Sequence, residues 1–213
     1  MPATSFAVLI ADVVESSARR GLRSLLAAKL ADASRRHLRR KFIRLPYSIT
    51  AGDEFQTVAV SPQCVPALLL DLRRSFRPLS LRIGIGLGGI SDRVQAPVNR
   101  LGGEAFQRAR KAMDRLKAGS LFRFDTLTAF SSRDSRFDAA INLLYGLHDT
   151  LVLKIKKKQW DAISAFLDQE NLEGAARRLR LDTSTVSRNL KRGYYWQLLE
   201  TAKVASVLLE RKT

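Results

Sequence analysis

The sequence predicts an α+β domain followed by an all-α domain. Strand-like and helical stretches alternate as β-α-β-β-α-β-α-β as far as Phe124, and from about Phe137 onward helical periodicity replaces strand character. Composition allows both parts to pack: 46% of the 213 residues are hydrophobic, too many for global disorder and enough for a domain of ordinary size plus a small one.

Phe6 to Ala11 is an almost continuous apolar run, the pattern of a central strand buried on both faces, and it ends at Asp12. Ser16 and Ser17 offer N-cap hydroxyls for a long helix reaching about Lys41, carried by Leu22, Leu25, Leu26, Leu30 and Leu38. Arg44 to Thr50 reads as a strand, Ala51-Gly52-Asp53-Glu54 as a turn, and Phe55 to Val60 as an alternating return strand. Pro62 and Pro66 bracket the start of a helix that runs to Phe76, and Pro78 breaks it. Leu81 to Leu87 alternates as the next strand. A long helix from near Gly103 to Lys117 follows, and Leu121 to Phe124 is expected as the last strand. This order is the split βαβ, or ferredoxin-like, arrangement: an antiparallel-containing sheet with helices on one face. Ser131 to Ser135 is a polar connector, so the boundary is drawn at residues 1–134 and 135–213, with the helix from Ala139 to Leu153 free to join either side.

The chain is very basic, with 37 Lys+Arg against 20 Asp+Glu and a formal net charge of +17, a field that attracts polyanions and nucleic acid first among them. The single cysteine, Cys64, cannot form an internal disulfide and is expected to be a buried small hydrophobe in a reducing compartment. No apolar run approaches the roughly 20 residues of a membrane span. The N-terminus lacks the charged flank of a signal peptide. The expected location is the cytoplasm, with no membrane partner.

The second part carries the sharper motif. Trp160, Ile163, Phe166 and Leu167 mark one helix, and Leu172 to Leu179 a second with Ala175, Ala176 and Leu179 inward. Leu181 is the apolar residue of the turn, and Asp182 or Thr183 caps a third helix, Ser184 to Arg192, anchored by Val186 and Leu190. Its outward face would carry Ser184, Thr185, Ser187, Arg188, Asn189, Lys191 and Arg192 beside Thr183. Arg pairs with guanine and Asn with adenine through two hydrogen bonds each, so this composition suits a helix laid in the major groove of double-stranded DNA. Lys156, Lys157, Lys158 and Arg177 are the expected phosphate contacts, and Tyr194-Tyr195-Trp196 begin a closing helix to Glu210. The segment resembles the helix-turn-helix of bacterial regulators such as sigma factors.

In the first part Asp12 ends one strand and Asp53 sits in the neighbouring hairpin, placed to hold a divalent cation such as Mg²⁺ through hard oxygen ligands. Arg35, Arg36, Arg39 and Arg40 read as a solvated helix face, and His37 and His148 as isolated. Gly84, Gly86, Gly88 and Gly89 lie in or after a strand and do not open a helix, so no dinucleotide fingerprint is present.

Asp12 to Ser17, Gly52 to Gln56, Arg82 to Gly86 and Gly103 to Arg110, in that order, resemble the nucleotide-cyclase and GGDEF palm superfamily, and more closely the SatD family, which joins a cyclase-like domain to a helix-turn-helix. The resemblance implies a ligand site around Asp12, Ser16, Ser17, Asp53, Gln107 and Lys111, a nucleotide or cyclic (di)nucleotide as its ligand, and a homodimer. It also exposes departures. Glu15 stands where cyclases have glycine, Ala51 replaces the first glycine of the GGDEF turn, and Gln107 and Lys111 replace Asn and Arg. The expectation is therefore a transcriptional regulator with a degenerate palm. The alternatives are a metal-dependent nucleotidyl cyclase and an adaptor that binds the transcription machinery.

Overall fold

A computed structural model of the chain describes residues 5–16, 21–91 and 93–210. Five strands form one mixed sheet in the order β2-β3-β1-β4-β5: β1 (Phe6–Val13), β2 (Ser48–Ala51), β3 (Glu54–Val58), β4 (Leu81–Gly88) and β5 (Thr128–Ser131). β1 pairs antiparallel with β3 and β4, β2 with β3 likewise, and only β4 and β5 run parallel. Three helices interleave with the strands: α1 (Leu22–Arg39), α2 (Val65–Ser75) and α3 (Glu104–Lys117). Five follow in succession: α4 (Ser135–Lys154), α5 (Lys157–Gln169), α6 (Leu172–Leu179), α7 (Thr183–Arg192) and α8 (Tyr195–Glu210).

The helices cover both faces of the sheet, not one. Side chains alternate across a strand, so β1 divides into two sets. Ala7, Leu9, Ala11 and Val13 meet α1, α2 and α4 on one face, whereas Val8 and Ile10 meet Ala105, Ala109 and Met113 of α3 on the other. The seat of α3 explains two strand glycines. A Cβ on Gly84 would lie 2.6 Å from the Ala109 carbonyl oxygen, and one on Gly86 would intrude further, on Ala105 and Ala109. These residues let the α3 backbone lie directly on β4.

Several element ends differ from expectation. β1 continues through Asp12 to Val13. α1 begins at Leu22 with left-handed Gly21 at its N-cap position, so Ser16 does not cap it, and Ser17 lies outside the described residues. β2 starts only at Ser48, after Pro46, which has no N–H to donate to a ladder. β3, flanked by β1 and β2 in the sheet, is buried along its whole length and does not alternate with solvent. The fifth strand is Thr128–Ser131, not Leu121 to Phe124; Phe122 and Phe124 stack on each other at 4.9 Å and rest over Gly146 of α4.

A second apolar cluster joins α5, α6 and α7 through Trp160, Ile163, Ala175, Val186 and Leu190. α4 serves both cores, with Phe137, Ile141 and Tyr145 under the sheet and Val152 in the second cluster. α8 does the same in reverse order, with Tyr195 and Leu198 in the helical cluster and Ala205 and Leu209 in the sheet core. Among the described residues no helix is long and apolar enough to cross a membrane.

Candidate functional site

α7 owes its position to two residues. Val186 and Leu190, four apart, are fully buried against α5 and α6, and this turns the opposite face outward. Thr183, Ser184, Ser187, Arg188, Lys191 and Arg192 are exposed, while Thr185 and Asn189 are half-buried on its flanks. Arg188 folds back along its own helix, donating to the Ser184 carbonyl at 3.3 Å and the Thr185 hydroxyl at 3.2 Å. Both bonds are long and solvent-exposed, and their loss on contact with a partner costs little.

The turn before α7 departs from expectation. Arg180 takes the left-handed conformation that ends α6, and Leu181 is 44% exposed, so it does not plug the helical core. Asp182 occupies the N-cap position without a capping bond from its side chain. These residues instead line an open groove with Arg177 and Thr183. At the far end of α7, Gly193 lies close to Gln159 and Ile163 of α5, which brings the α5 start near that end. Lys156, Lys157 and Lys158 are exposed there, and Lys157 pairs with Asp161 at 2.8 Å. Cations thus flank α7 at both ends, Arg177 and Arg180 at its start and the lysine run at its finish.

The sheet carries a separate ionic cluster on its α3 face. Asp12 is 4% exposed and receives Arg82 Nε at 3.0 Å, its cross-strand neighbour, and Lys117 Nζ at 3.3 Å. Glu54 holds both nitrogens of the Arg110 fork at 2.6 and 2.7 Å and lies 3.5 Å from Lys117 Nζ. The Arg110 hydrogen bonds keep the Glu54 carboxyl below the usual carboxylate range despite burial. Asp53 accepts a hydrogen bond from the Val13 N–H at 2.9 Å, tying the hairpin turn to the end of β1.

The hairpin therefore does bring Asp53 beside Asp12, but these residues do not fit a divalent ion. The ammonium of Lys117 already stands between the carboxylates of Asp12 and Glu54, and Asp53 is turned to the backbone. Among the described residues no group of three or more His, Cys, Asp or Glu could hold a metal. Gln107 and Lys111 are exposed on α3, away from its sheet-facing side; Arg110 and Lys117, seven residues apart on a flank of the helix, are the ones that reach the carboxylates. Glu15, where cyclases carry glycine, has φ 57°, the left-handed region that favours glycine.

A third constellation escaped the sequence reading. Asp71 of α2 is buried and receives Arg36 at 3.2 Å, His37 Nε2 at 2.7 Å, Arg40 at 3.3 Å and Arg74 at 3.0 Å. Arg36, Arg40 and His37 are thus neither a purely solvated face nor isolated. His37 is fully buried, and its Nδ1 lies 2.8 Å from the Tyr47 hydroxyl. Burial alone would raise the Asp71 carboxyl, but the His37 hydrogen bond, the charge of Arg74 and the Arg36 hydrogen bond outweigh it and hold the group far below its ordinary range. Arg74 also reaches Asp168 of α5 at 2.6 Å, and Asp168 reaches Arg178 of α6 at 2.6 Å. A continuous ion-pair chain therefore runs from the sheet helices into the helical cluster. His148 likewise has a neighbour, Asp149 at 3.4 Å, and Cys64 is half-buried with its sulfur 3.2 Å from the Ser61 hydroxyl.

These features define an α+β protein with a basic, multi-helical C-terminal part. The chain matches the SatD family over residues 6–209 and belongs to that family. No curated protein matches it. Among solved structures it is similar to a regulator of polyketide synthase expression from Bifidobacterium adolescentis, at 18% identity with a TM-score of 0.33, covering 95% of this chain and 80% of that one, a likeness too loose to bear on function.

Proposed function

We propose that this protein is a transcriptional regulator in which α5, α6 and α7 form a helix-turn-helix and α7 enters the major groove of double-stranded DNA. The observation that carries this reading is the division of α7. Val186 and Leu190 fix one side in the core, and the other presents Ser184, Arg188, Lys191 and Arg192 to solvent in a chain of net charge +17. Arg188 and Asn189 read bases; Lys156, Lys157, Lys158 and Arg177 neutralise phosphates on either side. The sheet part, residues 1–134, is a ferredoxin-like palm whose strand order β2-β3-β1-β4 fits that arrangement. It acts as a sensing or dimerisation unit, taking a nucleotide or cyclic nucleotide without turning it over. The exposed Leu143 and Leu147, one turn apart on α4, suit a homodimer contact. Lys117 and Arg82 at Asp12 weigh against the cyclase alternative, which needs those carboxylates for metal.

The test is binding to random and genomic duplex DNA across a salt series, for wild type and the Arg188→Ala/Asn189→Ala variant. Selection of a defined site, weakened by about 1–3 kcal/mol per lost base contact in the variant, supports the reading. Equal, sequence-blind binding by both proteins overturns it and leaves a charged surface acting alone. No DNA binding, with capture of RNA polymerase, favours the adaptor.

A further inference from the structure

Ala67, Leu70, Asp71 and Arg74 recur at helical spacing, so they share one face of α2. That face lines a groove of about 220 Å³, bordered also by Arg40 just after α1, by Leu167 near the end of α5 and by Leu199 in the first half of α8. Leu70, Leu167 and Leu199 are each half-buried and pack on the helical cluster. Phe42, which packs on the sheet core, lines the groove too. The hollow is therefore shared by the two clusters and filled by neither. Its two cations converge, because Arg40 Nη1 lies 3.3 Å and Arg74 Nε 3.0 Å from the same oxygen, Asp71 Oδ1. Asp71 lies beneath them at 5% exposure, its charge already met by four donors.

The two guanidiniums differ in what they have left to give. Arg74 is committed, since it also donates to Asp168 at 2.6 Å. Arg40 makes one long side-chain bond among the described residues, is half exposed, and stands 5.6 Å from the centre of the Phe42 ring at the groove. Cations also outnumber carboxylates here: Asp32, Asp71 and Asp168 are shared by Arg35, Arg36, Arg40, Arg74 and Arg178, five guanidiniums to three carboxylates. An apolar hollow edged by an underused planar fork matches a carboxylate with a short hydrocarbon tail. The fork takes both carboxylate oxygens side by side, and the tail displaces water from the leucines. The space equals roughly seven waters at about 30 Å³ each and falls below the roughly 300 Å³ of common ligand pockets, so a nucleotide does not fit and a few carbons do. We propose that this groove binds a small organic monocarboxylate, with its carboxylate on the Arg40 fork beside the Arg74 charge and its tail on Leu70, Leu167 and Leu199. A molecule seated there touches α2 on one side and α5 and α8 on the other, so its binding braces the joint between the sheet part and the helical part. The proposal rests on the groove and not on DNA binding or on a nucleotide at the palm.

Propionate, butyrate, pentanoate and hexanoate are titrated into the full chain at constant ionic strength, with binding read by saturation-transfer NMR. Hexanol and inorganic phosphate serve as competitors that carry only the tail or only the charge. The expected result is saturable binding of hexanoate with half-saturation on the order of 1 mM, as suits so few atoms. Affinity rises about fourfold with each methylene from propionate upward, and neither competitor displaces hexanoate at equal concentration. Two variants, each checked for its fold by circular dichroism, locate the site. Arg40→Gln weakens hexanoate at least tenfold. Ala67→Phe keeps every charge, fills the groove from an exposed position on α2, and abolishes binding. Absence of saturable binding to the wild type overturns the proposal, as does unchanged affinity in either variant. Affinity that ignores tail length, or phosphate that competes as well as hexanoate, also overturns it and leaves a cationic surface acting alone.

Discussion

Asp71 gathers three guanidiniums and one imidazole around a single buried carboxylate, and removing that charge leaves the cations facing one another. Asp71→Asn is expected to destabilise the fold by about 3–5 kcal/mol, read as a lower urea midpoint. The carboxyl is held below its unfolded value of about 3.9, so its contribution is fully present above pH 4 and is lost as pH falls toward its folded value. Wild type should lose stability below about pH 4 more steeply than the variant. Lys117 makes a second residue-scale prediction: millimolar Mg²⁺ should leave the melting temperature of both wild type and Lys117→Ala unchanged, because Arg82 still engages Asp12 and Arg110 still engages Glu54, and a Mg²⁺-dependent rise in either protein would count against this cluster. Neither cluster was legible in the sequence, because Asp71 and its α1 partners stand more than 30 residues apart, and no local pattern joins them. The α3 cluster left a fainter trace. Arg82 alternates with Gly84 and Gly86 and so shares their face, and Arg110 and Lys117 are two helical turns apart on the helix that covers it.

The crossing of α3 over β4 sets a tight limit on substitution. Gly86→Ala places a methyl group against α3 backbone, which cannot rotate aside, and should cost about 3 kcal/mol or more, measured by chemical denaturation. Elements whose periodicity is local were readable. The stretches for α3, α6, α7 and α8 were placed within a residue or two, because 3.6-residue spacing of Val, Leu and Ala shows without knowledge of the fold. β5 was not readable for the opposite reason. Its four residues include Thr128 and Ser131, polar side chains that suggest a loop, yet both are buried and Thr128 is bonded to Arg73 and Asp149. The Leu-Phe-Arg-Phe stretch before it imitates strand alternation, but its two rings pack on each other.

Across the whole molecule, the charge and the shared helices decide behaviour. If α7 reads DNA, each of Lys156, Lys158 and Arg177 changed to alanine should weaken binding evenly across sequences and reduce the salt slope by about 1, unlike Arg188→Ala, which should blur base preference. The two apolar clusters are linked by α4, by α8 and by the Asp71–Arg74–Asp168–Arg178 ion pairs. Thermal unfolding should therefore follow one cooperative transition by both tryptophan fluorescence and far-ultraviolet dichroism. Two separated transitions would mean that the helical cluster is held only loosely.

α8 also has a consequence for how the protein comes into being. Ala205 and Leu209 complete the packing beneath strands that leave the ribosome much earlier, and Ser206 ties α8 to the Gln63 carbonyl at 2.9 Å. A nascent chain carries an unfinished hydrophobic seat until α8 emerges. A message broken after α7 would encode every outward residue of α7 yet leave the sheet core without Ala205 and Leu209. Completion of the fold would then wait on translation through α8.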